Sequence, residues 1–350
     1  KLASLCYKKL SMSKKNSNVN LRDNFKNSDT IFQIYLNFKK KIRNLRSKVF
    51  AVAISGGSDS LALAALAKLL SQENNYKFYF VLINHNIRKD SLSEANQVKK
   101  LLKRKNINLI ILNNKVKISK NVQGEARNVR YDLLVNFCLK KNIKTILTAH
   151  NLEDQVETFF IRLSRGSGLS GLSSMRQMTK LHKKVNLFRP LLSIKKKYLI
   201  KISKTTFGRY FKDPSNKNPK FLRTKIRSLQ RPLERSGIEY DQIIKSINNL
   251  ASSRSILEKY FSEIYKDLIK KKGEEIFIDK KKFDVLNNEI KINVVNRSIK
   301  KLKKNYYNPR SKKVINLILS FKRKNFKKST LGGCLFTIKK DQICLKKEKK

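Results

Sequence analysis

The sequence AVAISGGSDSLALAALAKLL, residues 51–70, joins a short apolar run to an alanine- and leucine-rich stretch through a turn that contains two glycines. The first part predicts a buried strand and the second a helix, because strong helix formers dominate after the turn. Gly56 and Gly57 allow the backbone to turn tightly and to approach a ligand closely. The amides that follow them would point outward at the helix N-terminus, where an anionic group binds well.

We predict that this turn binds the phosphates of a nucleotide. The serine hydroxyls can donate further hydrogen bonds, whereas the Asp59 carboxylate would repel phosphate unless it caps the helix or holds Mg²⁺. Neither GKS nor GKT follows, so the turn is not a Walker A loop. An ordinary loop is the alternative, but a position between strand and helix favours nucleotide binding. The predicted ligands are Ser55, Gly56, Gly57, Ser58, Asp59 and Ser60, with Asp59 also a candidate magnesium ligand.

Strand and helix patterns alternate on both sides of this turn. Apolar runs predict strands over residues 48–55, 77–84, 107–114 and 143–150, and helical stretches follow the last three over Ser91–Arg104, Gly124–Lys140 and Leu152–Arg165. Four such alternations predict an α/β fold, a parallel twisted sheet with helices on both faces. In sheets of this kind, ligands bind beyond the carboxyl ends of the strands.

The rest of the chain is basic and less regular. After residue 220 the pattern predicts a mainly helical basic region, and residues 291–350 carry 20 Lys and Arg but only two acidic residues. The N-terminal residues are polar and weakly patterned, which favours a disordered or doubtful extension, with a transit peptide as the alternative. We therefore expect an extension over 1–30, a catalytic domain over 31–220, a helical RNA-binding domain over 221–290 and a lysine-rich segment over 291–350.

The string TAHNLEDQVET follows the fourth strand and enters a helix. His150, Asp154 and Glu157 are spaced i, i+4 and i+7, so we expect them to share one helical face, which Arg162 and Arg165 continue. A metal site is one interpretation of this pattern, and a solvated charged helix is another. The position at a strand's carboxyl end favours a binding site, and the two carboxylates could bind an ammonium group.

The string GEARNVRY supplies two further candidates, Arg127 and Arg130, which could each bind a phosphate through two hydrogen bonds. The alternative is an ordinary amphipathic helix whose Tyr131 and Leu134 face the core. His85 ends the second strand, and a local hydrogen bond is the more frequent role for such a residue.

Charge and cysteine content limit the classes of function. The chain carries 81 Lys and Arg against 25 Asp and Glu, a net charge of +56, which indicates a polyanionic partner such as nucleic acid. Biased composition from an AT-rich genome is an alternative source of the lysines, although the charge attracts RNA either way. The cysteines form no CxxC pair, which is typical of a reduced cytoplasmic protein. The sequence contains no run of about 18 apolar residues, so no membrane span is predicted.

Taken together, these strings resemble the tRNA(Ile)-lysidine synthase family of PP-loop (N-type ATP pyrophosphatase) proteins. The resemblance covers about residues 49–233 and is weaker at STLGGCLF, residues 329–336. SGGSDS matches the family's PP-loop, and residues 148–175 match its second signature almost end to end, followed by RPLL (189–192), KDPSN (212–216) and FLRTKIR (221–227). Three positions depart from the family pattern. Asn86 stands for the usual Gly, and Asn151 and Glu153 stand for the usual His and Asp, so these last two side chains are not expected to be essential.

The resemblance implies a cytoplasmic ligase that needs ATP and Mg²⁺. ATP would adenylate the 2-carbonyl oxygen of the wobble cytidine in an isoleucine tRNA with a CAU anticodon. Free L-lysine would then attack that carbon through its ε-amine, and AMP would leave to give lysidine. No membrane partner is implied, and a homodimer is one open oligomeric state.

Roles for individual residues follow from this expectation. The SGGSDS residues would hold pyrophosphate with Asp59 near Mg²⁺, and Arg127 or Arg130 would stabilise charge at the α-phosphate. Asp154 and Glu157, with His150 nearby, would bind the cationic group of lysine, and one carboxylate would accept a proton from the attacking amine. Arg162 and Arg165 would contact phosphate of tRNA or AMP.

Three other functions are weighed against the ligase. A PP-loop tRNA thiolase would need reactive or cluster-binding cysteines, and Cys138 sits among apolar residues. A small-molecule amide ligase would leave the basic C-terminal region without a purpose. A non-catalytic RNA-binding relative would need neither SGGSDS nor DQVET intact.

Overall fold

The computed structural model describes residues 22–23, 25–87, 90–116, 122–212, 221–303, 309, 311–323 and 325–348. They fall into two compact units, one within residues 1–249 and the other within residues 250–350. The boundary lies inside one long helix. In the described ranges, no helix has the length and apolar character needed to cross a lipid bilayer.

The first unit alternates strands and helices. Its strands are β1 (Val49–Ile54), β2 (Lys77–Asn84), β3 (Leu109–Asn113), β4 (Thr145–Leu147), β5 (Met178–Lys180) and β6 (Asn186–Phe188). Its helices are α1 (Asp29–Arg43), α2 (Ser58–Glu73), α3 (Ser91–Lys103), α4 (Val122–Lys140), α5 (Leu152–Leu163), α6 (Leu169–Leu172), α7 (Lys196–Phe207), α8 (Leu222–Ser228), α9 (Gln230–Arg235) and the start of α10 (Tyr240–Leu268). The four predicted strands and the helices after them are thus confirmed.

The six strands form one sheet in the order β3-β2-β1-β4-β6-β5, and all pairs are parallel except β5 with β6. The chain forms β2 on one side of β1 and later forms β4 on the other side. The strand order therefore reverses between β1 and β4. Val52 pairs with Leu147 in this register. The loops that follow β1 and β4 therefore lie side by side, where a parallel sheet binds its ligand.

Apolar side chains cover both faces of the sheet. Phe50 and Val52 of β1 pack into one core cluster with the buried apolar residues of α2, and Ala51 packs into another with Leu134 and Ile146. Alternate residues of a strand point to opposite faces, so β1 contributes to both clusters. The predicted helices on both faces are confirmed.

The second unit contains an antiparallel sheet that the sequence did not predict. Strands β7 (Ile269–Lys272), β8 (Glu275–Asp279), β9 (Lys328–Leu331), β10 (Cys334–Lys339) and β11 (Gln342–Lys347) are ordered β7-β8-β11-β10-β9. The rest of α10, α11 (Lys280–Asp284), α12 (Asn288–Leu302) and α13 (Ser311–Ser320) supply the expected helices, and their apolar residues share a core with the sheet. The sequence-based domain limits at 220 and 290 do not coincide with the division at 249 and stay predictions of functional regions.

The expected disorder of residues 1–30 concerns mainly residues outside the described part. Within that part, Phe25 is buried edge to face against Tyr35, with ring centroids 6.2 Å apart, and α1 begins at Asp29. Ordered structure therefore begins before residue 31, because Phe25 contributes to the core.

Candidate active site

The SGGSDS turn between β1 and α2 is held in shape by its own serines. The Ser60 hydroxyl donates to the Gly57 carbonyl at 3.0 Å and accepts from the Ser55 amide at 3.1 Å and from the Ser55 hydroxyl at 3.2 Å. Gly57 is the N-cap residue of α2 and brings no capping side chain. The first amides of α2 are therefore placed to meet an anionic ligand.

Gly56 is required by the geometry of this turn. Its φ is +82°, a left-handed conformation that side chains rarely adopt. A Cβ at this position would lie 2.6 Å from Cγ2 of Val98, and the Gly56 carbonyl accepts a hydrogen bond from the Phe211 amide at 3.0 Å. Contacts with Val98 and Phe211 therefore hold the turn in shape together with the hydrogen bonds of its own serines. Asn86, after β2, also has a positive φ of 52°, a conformation that asparagine tolerates.

The loop after β4 ends in a capping box at the start of α5. Asn151 Oδ1 accepts from the Asp154 amide at 2.9 Å, and Asp154 Oδ2 accepts from the Asn151 amide at 3.1 Å. His150 precedes the helix and shares a 3.0 Å hydrogen bond with the Thr148 hydroxyl. Of the three residues expected on one helical face, only Asp154 and Glu157 lie on α5, because the helix begins at Leu152.

Asp154 and Glu157 are paired with arginines of α8. Arg223 Nε donates to Glu157 Oε2 at 2.6 Å and its Nη2 donates to Asp154 Oδ1 at 3.0 Å. Arg227 Nε donates to Glu157 Oε1 at 2.7 Å. The Glu157 side chain is only 2% exposed, so this pairing offsets much of the cost of burying its charge. The pair of carboxylates and the pair of guanidiniums balance in charge.

Asp59 of the SGGSDS turn lies beside this cluster. Its Oδ1 accepts from the Ser58 hydroxyl at 3.0 Å, its Oδ2 accepts from Asn151 Nδ2 at 3.2 Å, and Lys196 Nζ lies 4.0 Å from Oδ2. Burial raises the pKa of the Asp59 carboxyl and Asp154 adds to this, while Lys196 and the Ser58 hydrogen bond lower it. The structure therefore brings the two predicted motifs into direct contact.

The predicted arginines of α4 stand near two histidines. Arg130 Nη2 lies 3.4 Å from His85 Nε2, and the Arg127 guanidinium lies 5.1 Å from the centre of the Tyr131 ring. Burial and then Arg130 lower the pKa of His85 to about 4. Burial lowers the pKa of His150 to about 3, and Arg127 and Arg130 contribute to that shift. Both imidazoles are neutral at pH 7, so the positive charge here comes from the arginines.

Arg162 has a different environment from the one expected. Its Nη1 donates to the carbonyls of Gly171 at 2.7 Å and Ser174 at 2.9 Å, and so ties the loop after α5 to the helix. The Gln155 side chain also holds this loop, since it bonds to both the amide and the carbonyl of Met175. Arg165 is exposed beyond the end of α5, and its role as a phosphate contact stays a prediction.

Sequence reasoning missed several members of this site. Arg223 and Arg227 were present in the quoted string FLRTKIR, and their i, i+4 spacing was the available signal. Asn151 and Glu153, which the family pattern left in doubt as essential residues, also contact the site: Asn151 links the Asp59 carboxylate to the Asp154 backbone amide, and Glu153 accepts the Lys196 amide through both oxygens at 3.0 and 2.9 Å. Lys196 carried no signal of its own within a basic sequence.

Comparison with known proteins agrees with this architecture. Residues 30–233 match the family model described as the PP-loop domain. The tRNA(Ile)-lysidine synthase of Rickettsia typhi is 32% identical over 334 residues, which cover 90% of this chain and 74% of that protein. The tRNA(Ile)-lysidine synthase of Wolbachia pipientis wMel is 32% identical over 289 residues, 81% of this chain and 67% of that protein.

A solved structure confirms the fold. The U34-tRNA thiolase of Methanococcus maripaludis superposes with a TM-score of 0.53 at 19% identity, over 63% of this chain and 79% of that one. At this identity the likeness concerns the fold alone, whereas the two sequence relatives match this chain over most of its length. The chain therefore belongs to the tRNA(Ile)-lysidine synthase family of PP-loop proteins.

Proposed function

We propose that this protein uses ATP to join free lysine to the 2-carbon of the wobble cytidine in an isoleucine tRNA with a CAU anticodon. The observation that carries this proposal is the meeting of the SGGSDS turn with the Asp154 and Glu157 carboxylates at two adjacent strand ends. One motif suits a leaving pyrophosphate and the other suits an attacking amine. Because the substrates are ATP, lysine and tRNA, we place the reaction in the cytoplasm.

The first step would take place over the SGGSDS turn. The 2-carbonyl oxygen of cytidine attacks the α-phosphorus of ATP, the bond to the β-phosphate breaks, and pyrophosphate leaves along the open amides of α2. Arg127 and Arg130 lie at the same edge of the sheet and would stabilise negative charge on the α-phosphate. The wobble base sits in a single-stranded loop, so turning it into a pocket costs little.

Asp59 is the residue that fits a magnesium ion. Mg²⁺ prefers oxygen ligands and is usually held by one or two carboxylates together with substrate phosphates and waters. The Asp59 side chain is 26% exposed beside the turn, and no cluster of three or more metal-binding side chains occurs in the described ranges. The phosphates would therefore complete the coordination. When bound, the ion would neutralise charge on the phosphates.

The second step would use the carboxylates of α5. The ε-amine of lysine attacks the activated carbon, the bond from that carbon to the adenylated oxygen breaks, and AMP leaves with that oxygen. The lysine ammonium group must lose one proton to become a nucleophile, and its nitrogen must lose another after it has attacked. Asp154 or Glu157 would accept one of these protons. Since Arg223 already bonds to both carboxylates, the ammonium group would share them with Arg223 or replace it.

The thiolase alternative has little support in the described residues. Thiolation needs a reactive sulfur, but Cys138, Cys334 and Cys344 are buried, and burial raises the pKa of Cys138 to about 12. A thiol with such a pKa is a poor nucleophile at pH 7. Binding of tRNA is expected to rest on the large excess of lysine and arginine, mainly through phosphates, and to weaken with salt.

The proposal is tested by incorporation of radiolabelled lysine into an unmodified CAU-anticodon isoleucine tRNA in the presence of ATP and Mg²⁺. We expect label that requires ATP, is lost in Asp59→Ala, and is lost when the wobble cytidine is replaced. Asp132→Ala, which removes an exposed carboxylate of α4, is the matched control and should retain activity.

The pattern of signals separates the alternatives. Pyrophosphate release without lysine incorporation would exclude the lysine reaction and make thiolation the next test. Absence of both signals on RNA that binds would indicate a non-catalytic RNA-binding relative.

A further inference from the structure

Asn151 occupies the point where the two halves of the site touch. Asn151 is the N-cap residue of α5, at the end of the loop that follows β4, and it is 1% exposed. A buried amide loses its hydrogen bonds to water, so each polar atom needs a partner within the protein. The hydrogen bonds of the Asn151 side chain therefore indicate its role in the site.

The two ends of the Asn151 carboxamide serve two different partners. Oδ1 accepts from the Asp154 amide at 2.9 Å, and Nδ2 donates to Asp59 Oδ2 at 3.2 Å. The orientation of the amide is fixed by chemistry, because a backbone N–H can only donate and an ionised carboxylate can only accept. Rotation of the amide by 180° would lose both bonds. The side chain therefore links the SGGSDS turn to the first turn of α5.

Asp59 is held from both sides as a result. Ser58 donates to one carboxylate oxygen at 3.0 Å and Asn151 donates to the other. The charged groups that act on this carboxylate come from three neighbouring helices, namely Asp154 of α5, Lys196 of α7 and Arg227 of α8. Lys196 Nζ is 4.0 Å away, beyond hydrogen-bond reach, so among the described residues Asn151 is the hydrogen-bond donor from outside the turn that sets the direction of the Asp59 carboxylate.

We propose that Asn151 is a positioning residue for Asp59, which directs the Asp59 carboxylate toward the bound nucleotide and its magnesium ion. The inference rests on the proposed role of the SGGSDS turn in binding ATP with Mg²⁺. It assigns a function to a side chain at which the sequence departs from the family pattern. The amide supplies an acceptor for the helix cap and a donor for the carboxylate, a combination that neither Ser nor Ala can supply at this distance.

Two substitutions separate the cap from the link to Asp59. Asn151→Ser keeps an acceptor for the cap, since serine is a good N-cap residue, but its shorter side chain cannot reach Asp59. Asn151→Ala removes both functions. Asn136→Ser, at an exposed position of α4, is the matched control. Each variant is made in the full chain and in the Asp59→Ala background.

Two measurements are made without tRNA or lysine, namely the dissociation constant for ATP with Mg²⁺ and the urea midpoint of unfolding without nucleotide. We expect Asn151→Ser and Asn151→Ala to weaken ATP binding about tenfold, equivalent to about 1.4 kcal/mol. In the Asp59→Ala background, the same substitutions should change the constant less than about twofold. Only Asn151→Ala should lower the urea midpoint, because only it loses the cap.

The proposal would be overturned by wild-type ATP affinity in Asn151→Ser, or by a tenfold loss that persists without Asp59. A wild-type chain that binds no ATP with Mg²⁺ would overturn this inference together with the proposed function. Normal ATP binding without lysine incorporation would remove the lysidine reaction and leave the role of Asn151 intact. The two failures are therefore distinguishable.

Discussion

Replacement of Glu157 by Gln tests how strongly α8 depends on a single buried charge. The Glu157 side chain is 2% exposed and accepts from Arg223 Nε at 2.6 Å and Arg227 Nε at 2.7 Å. Glutamine has nearly the same volume and keeps one acceptor oxygen. Its amide group would face the second guanidinium, donor against donor, so one hydrogen bond is lost and the other keeps only the charge of its guanidinium donor.

The expected loss in free energy of unfolding follows from these contacts. A hydrogen bond to a charged group contributes about 1.5–3 kcal/mol, and breaking a buried ion pair costs about 3–5 kcal/mol. The side chains of Arg223 and Arg227 are 44% and 39% exposed, so water recovers part of their solvation after the substitution. We therefore expect Glu157→Gln to destabilise the first unit by about 2 kcal/mol.

Hydrogen exchange of α8 and urea unfolding measure this effect. The chain has no Trp, so unfolding is followed by circular dichroism, and exchange reads the local release of residues 222–228. Glu239→Gln, at an exposed position, is the control and should change neither. A coupling above about 1 kcal/mol between Glu157→Gln and Arg227→Ala is expected. A stability change below about 0.5 kcal/mol, with unaltered exchange in α8, would refute the reasoning.

Three further predictions address the rest of the site. Gly56→Ala should destabilise by about 1–3 kcal/mol and abolish ATP binding, as seen by thermal unfolding and titration, because it combines a positive φ with a 2.6 Å contact. Arg162→Ala should speed proteolysis within residues 165–174 and leave ATP affinity unchanged, whereas equal cleavage would contradict the role of its two carbonyl contacts. The pKa of His85 is about 4 in the folded chain and near 6.5 when unfolded, so its contribution to stability is full above pH 6.5 and declines as pH falls toward 4. Urea titrations across this range should show a shallower decline for His85→Asn, and parallel curves would contradict the prediction.

Four of the six strands in the first sheet, β1 to β4, were predictable because each carries its own local signal, whereas the three-residue strands β5 and β6 were not predicted. Residues 48–55 and 77–84 are nearly continuous apolar runs, as buried parallel strands require, and helix formers follow them. The order of the strands did not follow from any local pattern. It places β1 beside β4 and so brings together motifs more than ninety residues apart in sequence, such as Asp59 and Asn151.

The second sheet was missed because its apolar signal is diluted by lysine. β7 reads IKKK and β11 reads QICLKK, and only about half of such a strand faces the core. Ile276 and Ile278 of β8 are fully buried at alternate positions, so the period-2 pattern of a strand is present. In each strand, however, this pattern extends over only a few residues. Antiparallel strands with one solvated face tolerate this, since lysines can occupy the outer face.

The arrangement of charge explains why one edge of the sheet could serve both steps of the proposed reaction. Acidic residues are scarce in a chain of net charge +56, yet Asp59, Asp154 and Glu157 gather at the ends of β1 and β4, each with a hydrogen-bond donor in contact. Arg127 and Arg130 approach from α4, beside two neutral histidines. Because Arg223 and Arg227 pair with Asp154 and Glu157, these carboxylates carry no excess negative charge until one of the ion pairs opens. A lysine ammonium group would therefore bind the carboxylate pair by sharing it with Arg223 or by displacing that arginine, while Arg127 and Arg130 would act on the phosphates of the nucleotide.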